Sequence, residues 1–277
     1  MKNLINILIA GLDHKRLVSL IYTMQLVLAI TIGLQVYQVI DASIGRSVSL
    51  EGLRVGNAHM VINDLLNVHG ASLSPLVGQI RWMIVIYLII ASFVHAGTWY
   101  VLINKLNTTG FWQGGAKYFF RSLLIGGFHL ILMLIISALI WIPYMSKIRY
   151  WMEYLPNEAP IVWIGLAVFL LWMGIMIYLF LSTSFAKIAL IKDEESVFSS
   201  LKRGLIMAGK KMLQVLPIFL LFALSIVILY SIHIWVDETS IMNTSFGIFL
   251  LFAIQQGIVW LKIALRISVY KYLLGIA

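Results

Sequence analysis

Six apolar runs of about twenty residues each dominate the sequence, and they restrict the folds open to the chain. A helix needs about 20 apolar residues to cross roughly 30 Å of hydrocarbon. Only 11% of the residues are charged, and the mean hydropathy is +0.97. Soluble domains are about 25% charged, and a transmembrane β-barrel would show alternating segments of about ten residues. The sequence therefore predicts an all-α, polytopic membrane helix bundle.

The apolar runs predict one integral membrane domain with six transmembrane helices. They lie at about residues 17–40, 82–104, 122–144, 160–182, 214–236 and 246–267. The segment 41–80 is expected to lie outside the membrane and to form one or two short amphipathic helices, with Gly70 as a helix stop. Pro143 is expected to end the third span, and Pro217 to kink the fifth only slightly. Residues 4–12 place their apolar side chains on one helical face, which favours an interfacial helix.

Lysine and arginine are concentrated in alternate loops, and this asymmetry predicts the orientation. One set of loops holds Lys2, Lys15, Arg16, Lys105, Lys117, Arg121, Lys187, Lys192, Lys202, Arg203, Lys210, Lys211, Lys262, Arg266 and Lys271. The other set holds Arg46, Arg54, Arg81, Lys147 and Arg149. By the positive-inside rule both termini are expected to be cytoplasmic. The net charge of +9 is then explained by contact with anionic lipid headgroups, and not by nucleic acid.

The cytoplasmic segment 187–213 has the clearest amphipathic pattern. Its apolar arc is Val197, Phe198, Leu201, Leu205, Ala208 and Met212, and its basic arc is Lys202, Arg203, Lys210 and Lys211. Three acids at positions 193–195 would lie at the positive end of a helix dipole. This pattern predicts a helix on the membrane surface, whose four basic residues contact anionic headgroups or a protein partner.

The same segment contains the pattern A-L-x-x-D-x-x-S-x-x-x-S-L-x-x-G, from Ala189 to Gly204. It resembles a broad group of bacterial six-span inner-membrane proteins, which includes the membrane domains found beside glycerophosphodiester phosphodiesterases. The segment 41–82 is similar to a Bacteroidetes-type variant of that group. The resemblance implies a layout and a bacterial inner-membrane location, but no catalytic residues, because the group has no established catalytic motif in its membrane part. The soluble phosphodiesterase domain has no counterpart in this sequence, so its activity is not implied.

Four histidines are the candidates for a cofactor or metal. His95 and His129 fall inside predicted spans and could share a level in the membrane, where they would ligate a haem or a metal. The favoured interpretation is that they form hydrogen bonds between helices. His59 and His69 could bind a metal in the external segment, although helical ligands are usually three or four residues apart. We therefore predict no cofactor and no metal.

Several glutamines fall inside the predicted spans. These are Gln25, Gln35, Gln255 and Gln256. They could stabilise contacts between helices, which is the favoured interpretation, or they could line a polar cavity for a substrate.

The chain contains no cysteine and none of the common catalytic motifs, such as G-x-S-x-G or H-E-x-x-H. The sequence thus predicts a non-enzymatic inner-membrane protein that serves as an accessory or scaffold subunit with other membrane proteins. The alternatives are a permease or lipid-handling protein, and a b-type haem subunit.

Overall fold

The computed structural model describes residues 2–44, 70–154, 157, 159–239 and 245–277. In this part of the chain nearly every residue is helical and no strand occurs, which confirms the all-α prediction. The helices are α1 (Lys2–Ile9), α2 (Lys15–Ile44), α3 (Gly70–Asn104), α4 (Thr108–Tyr154), α5 (Ala159–Lys192), α6 (Val197–Thr239) and α7 (Ser245–Ile276). A short 3-10 helix, Leu12–His14, joins α1 to α2.

The six helices α2–α7 each contain a segment that is long and apolar enough to cross a membrane, as the apolar runs predict. The protein is therefore a multi-pass membrane protein. The external segment is only partly covered, because residues 45–69, with His59 and His69, lie outside the described residues. α3 begins at Gly70 and continues into the span. The short amphipathic helices predicted before Gly70 lie outside the described residues.

The separate surface helix predicted for 187–213 is wrong. Residues 187–192 are the last turns of α5, and the basic stretch from Val197 is the first part of the spanning helix α6. Glu194 has a φ of 51°, a left-handed conformation just after the end of α5, and no proline follows before Pro217. Of the apolar arc, Leu201 and Ala208 are buried within the protein, whereas Phe198 is 85% exposed.

Both internal prolines lie inside continuous helices. α4 runs through Pro143 to Tyr154, so the predicted end of the third span at this proline is wrong. α6 runs through Pro217. A proline removes one backbone donor from a helix, and membrane helices tolerate this where neighbouring groups satisfy the freed carbonyl.

The Cα positions divide the chain into two compact units, residues 1–19 with 92–277 and residues 20–91. In the described residues the smaller unit consists of most of α2 and the first part of α3. The larger unit holds α1, the remaining ends of α2 and α3, and all of α4–α7. Its most extensively packed pair of helices is the hairpin of α5 and α6.

The buried residues of the larger unit all lie toward one end of its helices. We call residues 2–19, 92–129, 179–218 and 258–277 the basic end, and residues 130–178 and 219–257 the apolar end. At the apolar end, no residue whose burial is described is buried. The buried residues of the basic end include nine polar or charged side chains: Ser92, Thr98, Ser122, His129, Ser182, Ser184, Lys187, Ser200 and Ser268. The polar core lies at the basic end.

Candidate functional site

The turn between α5 and α6 is held against α4 by Glu194. Its carboxylate accepts a hydrogen bond from Lys117 Nζ at 2.7 Å and one from the Tyr118 hydroxyl at 3.0 Å. These two donors lower the pKa of Glu194 from its usual range, with Lys117 the larger cause. The turn and α4 therefore meet through an ion pair at the surface of the protein.

Arg203 binds the same turn from the α6 side. Its Nη1 lies 2.7 Å from Asp193 and 2.6 Å from Glu195. Hydrogen bonds from Ser199 and Arg203 lower the pKa of Glu195. Of the four residues predicted to contact headgroups or a partner, Arg203 is thus engaged within the chain. The other three have no ion pair with any side chain that the structure describes: Lys202, Lys210 and Lys211.

The family-like pattern of residues 189–204 encodes this hairpin. Ser196 caps α6, because its hydroxyl accepts a hydrogen bond from the Ser199 amide at 3.4 Å. Ser200 and Leu201 are buried. Gly204 lies so close to α5 that a Cβ there would meet the carbonyl oxygen of Ser182 and, at 2.8 Å, Ala186 Cβ. The pattern is explained by a tight turn and a close approach of two helices.

His129 links α4 to α5 where the basic end borders the apolar end. Its Nδ1 lies 2.9 Å from the Ile125 carbonyl oxygen, and its Nε2 lies 3.0 Å from Ser182 Oγ. A carbonyl can only accept, so Nδ1 carries the proton and Nε2 accepts from the Ser182 hydroxyl. Both ring nitrogens are engaged, and a metal could bind Nε2 only by displacing Ser182.

His95 links α3 to α7 in a similar way. Its Nδ1 lies 3.2 Å from the Tyr270 hydroxyl. The ring of Tyr270 stacks on Trp99, with the ring centroids 4.6 Å apart and the planes at 28°. Each of the two histidines thus hydrogen-bonds to a neighbouring helix.

His95 and His129 do not share a level in the bundle. The Ser122 hydroxyl donates to the Ser92 carbonyl at 3.4 Å, which marks one level on the antiparallel helices α3 and α4. His95 lies three residues from this level toward the basic surface. His129 lies seven residues from the same level in the opposite direction. At 1.5 Å per residue, the two histidines are about 15 Å apart along the helix axes. This arrangement does not suit one haem or one metal held between them.

Lys187 is the residue of this region that the sequence did not single out. Only 6% of its surface is exposed, although a lysine in this position of the sequence is expected to reach the membrane surface. One signal could have identified it, since Lys187 interrupts the apolar run around Ala186 and Ile188.

The N-terminal helix is attached to α7 through Ser268. The Ser268 hydroxyl donates to the Leu8 carbonyl at 2.6 Å and accepts from the Gly11 amide at 2.7 Å. A Cβ at Gly11 would meet the Ala264 carbonyl oxygen, so only glycine permits this approach. Lys271 on α7 forms an ion pair with Asp13 at 3.2 Å. The start of the chain is therefore packed into the basic end.

A basic cavity opens beside this N-terminal segment. Its volume is about 380 Å³. Its lining is Leu12, Asp13, His14, Lys15, Arg16, Leu17, Val101, Leu106, Asn107 and Thr108. Lys15 and Arg16 are exposed, and their charges suit an anionic headgroup at the membrane surface.

The predicted glutamine cluster is divided between the two units. Gln25 and Gln35 belong to the unit of residues 20–91, in which Gln35 is exposed. Gln255 and Gln256 lie on α7 in the larger unit and are half-buried. In the described residues, no group of three or more His, Asp or Glu side chains could hold a metal ion.

The sequence and the fold were compared with known proteins. No family model, no curated protein and no solved structure matches the chain.

Proposed function

We propose that this protein is a non-enzymatic accessory or scaffold subunit of a larger assembly in the inner membrane of a bacterium. The basic end forms its structural core, and the apolar end receives the transmembrane helices of other subunits. The four helices α4–α7 would hold that assembly together by packing their apolar-end residues against it.

The observation that carries this proposal is the difference in burial along these helices. In the most apolar windows of α4, α5 and α6, only 11% of the residues are buried inside the protein. Exposed side chains at the apolar end include Leu139 at 69% and Ile142 at 67%. In lipid, helices associate through close packing and hydrogen bonds rather than through hydrophobic burial. The apolar end forms few such contacts within this chain, and the helices of a partner could supply them.

The basic end is proposed to face the cytoplasm, with both termini on that side. The support is the concentration of lysine and arginine there, which the positive-inside rule assigns to the cytoplasmic face. A reporter that is active only in the cytoplasm, fused to the C-terminus, is expected to be active. An active periplasmic reporter at the same position would contradict this orientation.

Kinship with the bacterial six-span group is also a proposal. It is supported by the roles of Ser196 as a helix cap and Gly204 as a point of close helix approach in one hairpin, because a pattern with a common structural purpose is less easily explained by chance. A relative identified by its own structure should show the same close approach of two helices at the glycine.

Photo-crosslinking tests the assembly proposal directly. A benzophenone amino acid would replace Leu139 at the apolar end, and in a matched variant it would replace Leu213, an exposed leucine of the basic end. Irradiation of intact membranes is expected to join position 139 to a different polypeptide at several times the yield of position 213. Mass spectrometry of the adduct would identify the partner.

Two results would overturn the proposal. One is that both positions yield only lipid adducts or adducts with a second copy of this chain. The other is that the purified protein is a monomer that transports a solute into liposomes, which would favour the permease alternative.

A further inference from the structure

Lys187 on α5 is a buried cation without a counter-ion in the described part of the chain. Only 6% of its surface is exposed. The carboxylates with described side chains all pair with other cations: Asp13 with Lys271, Asp193 and Glu195 with Arg203, and Glu194 with Lys117. Removing an ammonium group from water costs several kcal/mol unless a partner is present. The position therefore calls for an anion.

The groups around Lys187 add to the positive potential. Lys187 lies within electrostatic range of both His95 and His129, and Arg266 lies within range of His95. His129 offers no acceptor to the lysine, because Nδ1 donates to Ile125 and Nε2 accepts from another group. Two cations are thus within electrostatic range of His95, and none of the described acids pairs with either of them.

Side chains on a helix point back toward its N-terminus, so Lys187 extends from its own turn toward the level of Ser184. The Ser184 hydroxyl already donates a hydrogen bond to the Phe180 carbonyl at 3.0 Å. Arg266 is exposed on α7, one turn before Tyr270, whose hydroxyl lies 3.2 Å from His95 Nδ1.

We propose that Lys187, together with Arg266, binds a phosphate group at the basic end of the bundle. Lysine binds phosphate as a point charge, and arginine can add two parallel hydrogen bonds to its oxygens. The phosphate belongs either to an anionic phospholipid headgroup or to a free phosphate ion, since both present the same oxygens at a membrane surface. The site does not depend on the partner subunits proposed above.

Thermal unfolding in a phosphate-free maltoside detergent tests this site, with inorganic phosphate and phosphatidylglycerol as separate additions. Either ligand, at about a hundredfold over its Kd, should raise the wild-type Tm by roughly 5–10 °C. Lys187→Met should abolish that rise. Without added anion, the same variant should be more stable than the wild type, because it removes a buried charge that has no partner. Lys192→Met, at an exposed lysine of the same helix without an ion pair to a described side chain, should leave both properties unchanged.

The two additions distinguish the source of the phosphate. A rise with inorganic phosphate identifies a free anion, and a rise with phosphatidylglycerol alone identifies a lipid headgroup. Lys187→Arg retains the charge and should retain the response, which keeps the test decisive if the methionine variant does not fold. The proposal is overturned if neither addition raises the wild-type Tm. It is also overturned if Lys187→Met shows the same rise as the wild type. If Lys187→Met does not fold, the same rise in Arg266→Gln overturns it.

Discussion

The basic end and the apolar end of the larger unit are built from the same helices but are held together in different ways. At the basic end, glycines bring the helix backbones close together and buried polar side chains pair across them, as His129 does with Ser182. At the apolar end the ring contacts, such as Trp141 with Trp172 at a centroid distance of 6.1 Å, and the hydrogen bonds join side chains that are only half-buried or exposed. A membrane protein gains little free energy when an apolar side chain is buried in protein instead of lipid. Polar pairs and close backbone contacts therefore determine where this protein has a core.

The largest difference between the two ends is expected from adding a methyl group to a glycine. Gly204→Ala would force its Cβ against Ser182 and Ala186, and should lower the free energy of unfolding by about 1–3 kcal/mol. Gly174→Ala, where nothing lies within 4 Å of the added Cβ, should instead raise it by about 0.5–1 kcal/mol, because a glycine inside a helix is less stable than an alanine. Unfolding by denaturing detergent measures both. Equal losses for the two variants would contradict the packing difference.

Removing a serine hydroxyl should have a smaller effect that also depends on the end. Ser182→Ala leaves Nε2 of His129 without its donor in a buried site, and should cost about 1–2 kcal/mol. Ser137→Ala removes the acceptor of the Trp172 indole, which lies 3.0 Å away in a half-buried site, and should cost about 0.6 kcal/mol or less. The same unfolding measurement applies. A greater loss for the Ser137 variant would count against a polar core at the basic end.

The ion pairs at the turn should contribute less again. Arg203→Gln removes two exposed pairs and should lower Tm by roughly 1–3 °C in low salt, with the effect shrinking as salt is added. Lys202→Gln, on the neighbouring residue without an ion pair, is the control and should leave Tm unchanged. A salt-independent loss for Arg203→Gln would show that its role is packing and not charge.

The smallest effect is a dependence on pH. Glu194 and Glu195 have pKa values below the usual glutamate value of 4.5. A lowered carboxylate pKa gives stability that is complete above the unfolded value and is lost as pH falls through the folded value. The wild-type Tm should thus fall only below about pH 4.5. Glu194→Gln with Glu195→Gln should flatten that fall, and an unaltered fall would assign it to other groups.

Much of the architecture follows from the sequence, because apolar length and loop charge act locally. The six spans could be recognised from the length of their apolar runs, and Lys202 and His129 from their polar residue types. Three features could not. The end of α5 depends on the single left-handed residue Glu194, the depths of His95 and His129 depend on how the helices pair, and the burial of Lys187 depends on its neighbours in three dimensions. The cofactor, partner, orientation and family interpretations remain predictions.

The proposed function requires that the basic end be a fixed core and that the apolar end lack its packing partners in the isolated protein. The chain has no cysteine, so pairs of spin labels can be placed without background. One pair would replace Lys105 and Lys202 at the basic end, and the other Met152 and Trp235 at the apolar end, all of them exposed.

Pulsed electron paramagnetic resonance on the purified protein would measure the distribution of distances within each pair. The basic pair is expected to give one narrow distribution, and the apolar pair a distribution that is several times broader and that narrows in native membranes. Equally narrow distributions for both pairs in the purified protein would contradict the claim.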